Sequence, residues 1–495
     1  MRTFRVYSPD QRLLLPPSLQ DWLPEGHLAR FISDVVDELN LASIFSAYER
    51  GDGRGQPPYH PSMMVKLLVY AYCTGKPSSR KIEEATYTDV AFRVLSADQH
   101  PDHAVISEFR KRHLRALASL FKDVLELCEK AGLVKLGHVA IDGTKIKANA
   151  SRHKAMSYER MEQSEKRLEE EIAALLKRAE EVDAAEDAQY GPEHRGDELP
   201  AELARRDSRL KVIREAKKAL EEEAREQAKK DVLAAEERIA QRRQQEAETG
   251  KKAKGHDPKT PDPEQATPKP KAQRNFTDPE SRIMIDGATK SFMQAYNAQA
   301  AVDAERQIII AAEITDEAND KKQLVPMALK AELNSGRMPE TISADSGYFS
   351  EIAVTDQALE GVGLYVAVDR QKHNTGHNGA TIAETAIAET AIVKTADPTE
   401  LTPKEKMRQK LLSEAGKKVY ALRKTIVEPV FGQIKEARGF RRFSFRGKEK
   451  VGQEWSLICL THNLLKLYVN QRGKRQPVKM WREMTTKGVV GLQAA

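Results

Sequence analysis

Cysteine is nearly missing from this chain of 495 residues: only Cys73, Cys128 and Cys459 occur, odd in number and widely spaced. That excludes a disulfide framework and a cysteine-based zinc site, and it fits a reducing cytoplasm. Long apolar runs are missing too. No stretch reaches the roughly 20 residues that span a bilayer, and the opening MRTFRVYSPDQRLLLPP has no continuous apolar core of secretory length, so neither export nor membrane insertion is expected. There is no HExxH, no GxSxG and no Walker-type loop, and the glycines between Gly51 and Gly55 lack the lysine and the strand-to-helix context of a nucleotide site. A nucleotide cofactor is therefore not expected. His100, His103 and His113 read as structural or surface residues rather than ligands. Nor is there an overwhelming charge of one sign: 80 Lys and Arg against 74 Asp and Glu leave +6, which permits a polyanionic partner without requiring one.

What is present is length and local pattern. The chain is long enough for two or three domains, and its 40% hydrophobic content is that of a globular protein. Residues 1–134 read as a helical N-terminal domain, with loops at Pro57-Pro58, Gly75-Lys76-Pro77 and His100-Pro101-Asp102. Met64, Leu67, Leu68, Ala71 and Tyr72 keep helical spacing and form one buried face. Asp102 reads as the N-cap of a helix that turns Val105, Ile106 and Phe109 inward and leaves Arg110, Lys111, Arg112 and Arg115 outside. Such a module resembles a small DNA-binding domain; a bundle with a solvated basic face fits the periodicity equally.

Residues 135–156 hold a first strand, HVAI, which IKANA continues. Over 157–245 the chain becomes strongly charged and helical, with Met161, Leu168, Ile172, Leu175, Ala179 and Val182 on one arm and Leu210, Ile213, Leu220 and Ala224 on the other. Turn signals at Gly191-Pro192 and Gly196 separate the arms, so an antiparallel hairpin is expected, its charges forming a solvated face. Residues 246–274 read as a flexible Lys/Pro/Asp-rich linker. Strands return over 275–470, in QAYNAQAAVD, QIIIAAEIT, ETISAD and GLYVAVD, with a helix in DKKQLVPMALKAELNSG ending near Gly336. The repeat AIAETAIAET is too short for a solenoid and reads as a loop or small helical excursion. After Pro403 a helix carries Glu428 and is interrupted near Pro429; EWSLICLTHNLLKLYV is expected to pack on the sheet, and 471–495 to form a basic tail. The fold class is thus mixed α+β, a mixed sheet with helical cover, interrupted by a long charged hairpin.

Three carboxylates stand out by context. Asp142 ends the apolar run in HVAIDGTKIKANAS, Asp345 ends a shorter one in ETISADSGYFS, and Glu428 stands seven residues before Lys435. A sheet that brings strand ends together places such residues in one pocket, and hard carboxylate oxygens suit a pair of Mg²⁺ ions of the kind that promotes phosphodiester transfer. Each has a plainer reading, since Asp-Gly and Asp-Ser-Gly are common turn signals and Glu428 could be a surface helix residue. The stretch from Lys435 to Glu454 is basic: Lys435, Arg438, Arg441, Arg442, Arg446, Lys448 and Lys450 stand against three acids, with Phe440, Phe443 and Phe445 between them. Cations neutralise phosphates and aromatic faces stack on exposed bases, although the phenylalanines could equally anchor a loop to the core.

With these residues in place, the chain resembles a DDE transposase of a bacterial insertion sequence, closest to the insertion-sequence 1182 group. The resemblance rests on PPYHPSMMVKLLVYAYCTGKPSSRKIEEA, PDHAVISEFRKRH, AIDGTKIKANAS, NFTDPESRIM, QAYNAQAAVD, ADSGYFS and VEPVFGQIKEARGFRRFSFRG followed by EWSLICLTHNLLKL. It implies a ribonuclease H-like catalytic domain with Asp142, Asp345 and Glu428 as a metal-binding triad for two Mg²⁺ or Mn²⁺ ions. It also implies binding of terminal inverted repeats and target DNA, cleavage and strand transfer, a homo-oligomer on DNA, and a cytoplasmic, nucleoid-associated protein. Related transposases place a tyrosine, an arginine, the glutamate and a lysine at set spacing. Here Glu428 and Lys435 fit, Tyr420 stands eight residues upstream of the glutamate rather than seven, and Lys424 takes the arginine's place with Arg423 adjacent. A catalytically inactive DNA-binding or scaffold relative, and a metal-dependent nuclease without strand joining, remain the alternatives.

Overall fold

The computed structural model describes residues 18–49, 57–190, 201–249, 260–287, 289–369 and 401–473. In chain order, helices α1 (Leu28–Glu38), α2 (Ala42–Phe45), α3 (Pro61–Cys73), α4 (Ser79–Thr88), α5 (Val90–Leu95), α6 (His103–Arg112) and α7 (Leu114–Lys130) lead to strand β1 (Val139–Lys147). Strand β2 (Ala155–Ser157) and helices α8 (Tyr158–Tyr190) and α9 (Ala201–Thr249) follow, then strands β3 (Gln273–Asn275), β4 (Arg282–Ile285), β5 (Phe292–Asp303) and β6 (Ile309–Thr315). Helix α10 (Leu324–Ser335), strand β7 (Thr341–Ala344), helix α11 (Glu351–Val354), strand β8 (Gly363–Val366) and helices α12 (Pro403–Leu412), α13 (Glu414–Gly432) and α14 (Lys448–Gly473) complete the order. The chain divides into two compact units, Met1–Ile146 with Asn297–Ala495, and Lys147–Tyr296.

In the first unit, α3 starts with Pro61 at its first turn, where the missing N–H costs nothing, and is buried almost all round. The expected single face of Met64, Leu67, Leu68, Ala71 and Tyr72 is thus part of a larger buried surface that also takes Val65, Val69 and Tyr70. The chain leaves α3 through Gly75, whose φ of +71° and close approach to the Arg438 carbonyl leave no room for a Cβ. Asp102 caps α6 as expected, accepting from the Ala104 and Val105 amides at 2.7 and 2.9 Å. Ile106 and Phe109 face inward. Val105, expected beside them, is 38% exposed, and Arg110, expected outside, is buried.

The sheet of this unit runs β6–β5–β1–β7–β8. Strands β1, β7 and β8 are parallel, and β5 is antiparallel to β6. The buried start of β1, Val139 to Ile141, pairs in register with Ile342 to Ala344 of β7. This sets Asp142 and Asp345 side by side as the next residues of two adjacent parallel strands. Helix α14 packs against β6 and α7. It is tied to the sheet by the Trp455 indole, which donates to the Gln299 carbonyl at 2.9 Å, and by Asn463, which exchanges two hydrogen bonds of 2.8 Å with the Ile309 backbone.

Helix α13 carries Pro429 without breaking, against expectation. Proline there leaves the Thr425 carbonyl without its helical donor, and the Gln307 side-chain amide supplies one at 2.8 Å. The helix then passes into a π-helical turn, Gln433–Ala437.

The second unit contains the expected hairpin. Glu162, Glu165, Glu169 and Glu171 of α8 pair with Lys217, Arg214 and Arg206 of α9 in descending order, which makes the arms antiparallel. Their shared core is Met161, Leu168, Leu210, Ile213, Ala216 and Leu220, with Ile172, Ala272 and Phe276 packed against it. The expected linker is shorter than 246–274: residues 246–249 continue α9, and Gln273–Asn275 pair with β2. Strand β4 pairs with the first residues of β5. The GDGRG segment, the Gly191-Pro192 and Gly196 turn, residues 250–259, the AIAETAIAET repeat and the tail beyond residue 473 lie outside the described residues. Among the described residues no helix is long and apolar enough to cross a membrane.

Candidate active site

Strand β1 delivers Asp142 at the point where its apolar run ends, and the Gly143 amide donates to its own carboxylate at 2.8 Å. Asp345 does the same one strand over, accepting from the Gly347 amide at 2.8 Å. Asp345 lies close enough that its charge raises the cost of ionising Asp142. Burial pushes the Asp142 carboxyl up to about 6; the Arg423 guanidinium works against this, and the negative charges of Asp345 and Asp320 add to it.

Helix α13 lies over these strand ends. Arg423, 8% exposed, donates to the Asp142 carboxylate at 3.0 Å, and its guanidinium sits 5.8 Å from the Tyr420 ring centre. Burial raises the Tyr420 hydroxyl. Of the adjacent pair Arg423 and Lys424, it is therefore Arg423 that faces the carboxylate, while Lys424 is exposed. Farther along, Lys435 donates to the Thr144 hydroxyl at 3.1 Å and the Lys145 carbonyl at 3.4 Å. Glu428 lies between Arg423 and Lys435 on the same helix and is exposed. At 1.5 Å and 100° per residue it stands about 7.5 Å along the axis from Arg423 but about 140° around it. In this conformation α13 presents a guanidinium, rather than a carboxylate, to Asp142.

Among the described residues no group of three or more His, Cys, Asp or Glu is placed to hold a metal ion. The donors that do meet are nonetheless hard oxygens, and Asp142 is a desolvated carboxyl that a nearby cation stabilises in its ionised form. Asp142 and Asp345 thus suit a divalent cation in chemistry, with further donors still to be supplied.

Sequence reasoning missed a third carboxylate. Asp320, between β6 and α10, accepts from the side-chain amides of Asn297 at 2.6 Å and Gln299 at 2.7 Å, and lies 3.9 Å from the Lys145 ammonium. Burial lowers the Lys145 ammonium, while Asp320, Asp142 and Asp345 oppose the shift. Gln299 in turn accepts from the buried Tyr348 hydroxyl. Nothing in EITDEANDKK distinguishes Asp320 from its acidic neighbours. The signal lay on β5, where Asn297 and Gln299, two apart, put buried amides on one face of the strand and required a polar partner.

The basic block is divided by burial. Arg438 is 5% exposed, donates to Thr461 and the Ile458 carbonyl, and is lowered by burial to about 10, so it braces the fold rather than facing solvent. Arg110 is likewise buried, donating to the Pro77 carbonyl and lying 5.4 Å from the Phe445 ring centre. Neither presents its charge to a phosphate here. Phe440 and Phe443 are buried and Phe445 half-buried, so the aromatics anchor the segment to the core. Arg112, Arg441, Arg442 and Arg446 are exposed; Arg112 donates to the Ala47 carbonyl and Arg441 pairs with Glu436.

Residues 17–112 match the family model of a transposase domain (DUF772), and residues 388–468 match that of a transposase DDE domain. The second match contains Tyr420, Arg423, Glu428 and Lys435; Asp142 and Asp345 lie outside both. No curated protein and no solved structure matches the chain. Two separate segments, each similar to a transposase domain and one of them of the DDE type, together support a DDE-type transposase.

Proposed function

We propose that the chain is a metal-dependent DNA strand-transfer enzyme that binds the ends of its element, cleaves there and joins the freed 3′ hydroxyl to target DNA. The observation that carries this reading is the register of β1 and β7, which sets Asp142 and Asp345 side by side beneath a helix from the segment matching the DDE domain. In this reading the domain is ribonuclease H-like, an assignment supported by a parallel arm, β1–β7–β8, and an antiparallel arm, β5–β6, in one sheet.

Asp142, Asp345 and Glu428 would hold two Mg²⁺ or Mn²⁺ ions. When bound, such ions activate an attacking oxygen and stabilise charge on the leaving one. For Glu428 to join the aspartates, α13 must turn and Arg423 must leave Asp142. The π-helical turn at Gln433–Ala437 and the redirected carbonyl at Thr425 are places where helical register can change. DNA offers Arg423 a phosphate in exchange for the carboxylate. Lys435, held beside Thr144, is then near the same backbone, and Arg441, Arg442, Arg446 and Arg112 supply exposed positive charge. Tyr420 and Lys424 flank this contact. The helical segment matching the transposase domain would help to recognise the DNA, and a homo-oligomer would bring two ends together.

The test is to incubate the full chain with its element's flanking DNA and Mg²⁺ and map the products. Asp142→Asn is expected to abolish cleavage while DNA binding persists. Unchanged cleavage would remove Asp142 from the chemistry. Nicked ends with no joined product from a pre-cut substrate would identify a nuclease without strand joining, and binding without cleavage by the native chain would identify an inactive relative.

A further inference from the structure

Asp320 occupies a place that the proposed triad does not explain. A Cβ added at Gly143 would overlap the Gln299 amide nitrogen and lie 2.8 Å from Asn297 Oδ1 and 3.0 Å from Asp320 Oδ1. One added at Gly347 would lie 3.0 Å from Asp345 Oδ1 and 3.4 Å from Asp320 Oδ2. Both glycines that follow Asp142 and Asp345 thus have the Asp320 carboxylate in contact range, Gly143 the more closely. Asn297 is fully buried, and its Oδ1, beside Gly143, has no hydrogen-bond partner although its amide nitrogen is fully engaged.

Charge gives the arrangement a direction. Three carboxylates, Asp142, Asp320 and Asp345, share this end of the sheet with Arg423 on Asp142, Lys145 nearest Asp320, and Lys435, which is held by Thr144 and the Lys145 carbonyl. Lys145 follows Asp142 by three residues, and its side chain is 18% exposed, so without Asp320 its ammonium would have Asp142 and Asp345 as its remaining carboxylate neighbours. There it would compete with any divalent ion for the same oxygens. Asn297 and Gln299 fix the orientation of Asp320 through two short amide hydrogen bonds, and Tyr348 and Trp455 fix Gln299 in turn.

We infer that Asp320 is a positioning residue for the metal-dependent reaction: it draws Lys145 to itself and so keeps that ammonium off the Asp142 and Asp345 oxygens that a divalent cation would take. The inference rests on the proposed function, because it assumes that those two aspartates take the ion.

Mn²⁺ binding to the full chain, followed by the electron paramagnetic resonance signal of the free ion, tests it without recourse to activity. Asp320→Asn keeps an oxygen for the two amides but removes the charge, and is expected to weaken Mn²⁺ binding about tenfold, as one unbalanced charge a few ångströms away does. Lys145→Gln alone is expected to bind at least as tightly as the native chain. The double variant, Asp320→Asn with Lys145→Gln, should return to within about twofold of native, because the competing cation is gone. Native affinity in Asp320→Asn overturns the inference, and so does a double variant as weak as Asp320→Asn, which would mean that the carboxylate merely holds the turns in shape. Native binding that survives Asp142→Asn unchanged, or no Mn²⁺ binding by the native chain, would instead overturn the metal site on which the inference rests.

Discussion

At the scale of single residues the candidate site is governed by what replaces water around Asp142. Its carboxyl is held up to about 6 by burial even with a guanidinium beside it, so the strand end is a place where negative charge is costly and positive charge welcome. Gly143 is required by the absence of space. Gly143→Ala is expected to destabilise the first unit by about 1–3 kcal/mol, since Asn297, Gln299 and Asp320 are themselves fixed and cannot retreat. If the proposed chemistry holds, it should also slow cleavage by about 100-fold, because displacing Asp142 by an ångström is enough to misalign it. Denaturation midpoints and single-turnover cleavage of the same preparation check both, and native values in each would show that the turn relaxes freely. Asp142 and Asp345 were legible because each ends an apolar run at a turn signal. Asp320 was not, because its importance comes from Asn297 and Gln299, which reach it across the sheet. Arg110 and Arg438 show the opposite failure: a cation in a basic stretch reads as a surface charge until a neighbouring element covers it.

Among elements, the α8–α9 hairpin was readable in outline because long charged helices with spaced apolar residues have few other ways to bury those residues. Its stability resides in the narrow core rather than in the ion pairs along its flanks. Ile213→Ala is expected to destabilise the second unit by about 2–4 kcal/mol. Arg214→Ala, which removes a half-exposed partner of Glu165 and Glu169, should cost far less, because solvent screens the pair. Urea titrations followed by helical circular dichroism compare the two, and equal losses would mean that the ion pairs matter as much as the core. Helix α13 teaches a different lesson. Proline at position 429 predicts a break, and the break is averted by Gln307, more than a hundred residues earlier, which satisfies the carbonyl that proline abandons. Local propensity sets the cost of a proline, but a distant donor determines whether the helix bears it.

Across the whole molecule, the scarcity of cysteine has a simple counterpart: Cys73, Cys128 and Cys459 are all free and buried, and burial pushes the first two thiols up to about 12 and the third well above its ordinary value. Thiol-reactive reagents are therefore expected to leave the native chain almost unmodified and to label all three positions once it is unfolded. Rapid labelling of the native protein would mean that the helices around them open easily. The amino-acid sequence by itself determined the mixed class of the fold, the charged hairpin, most strand and helix positions, and two aspartates at strand ends, because each is written in local periodicity or in a turn signal a few residues long. Only the tertiary structure decided that Asp320 and Lys145 join those aspartates, that Arg423 rather than Lys424 meets Asp142, and that Arg110, Arg438 and the phenylalanines are covered. Those outcomes depend on strand register and helix rotation, and a shift of one residue or a turn of 100° changes them while leaving every local pattern intact.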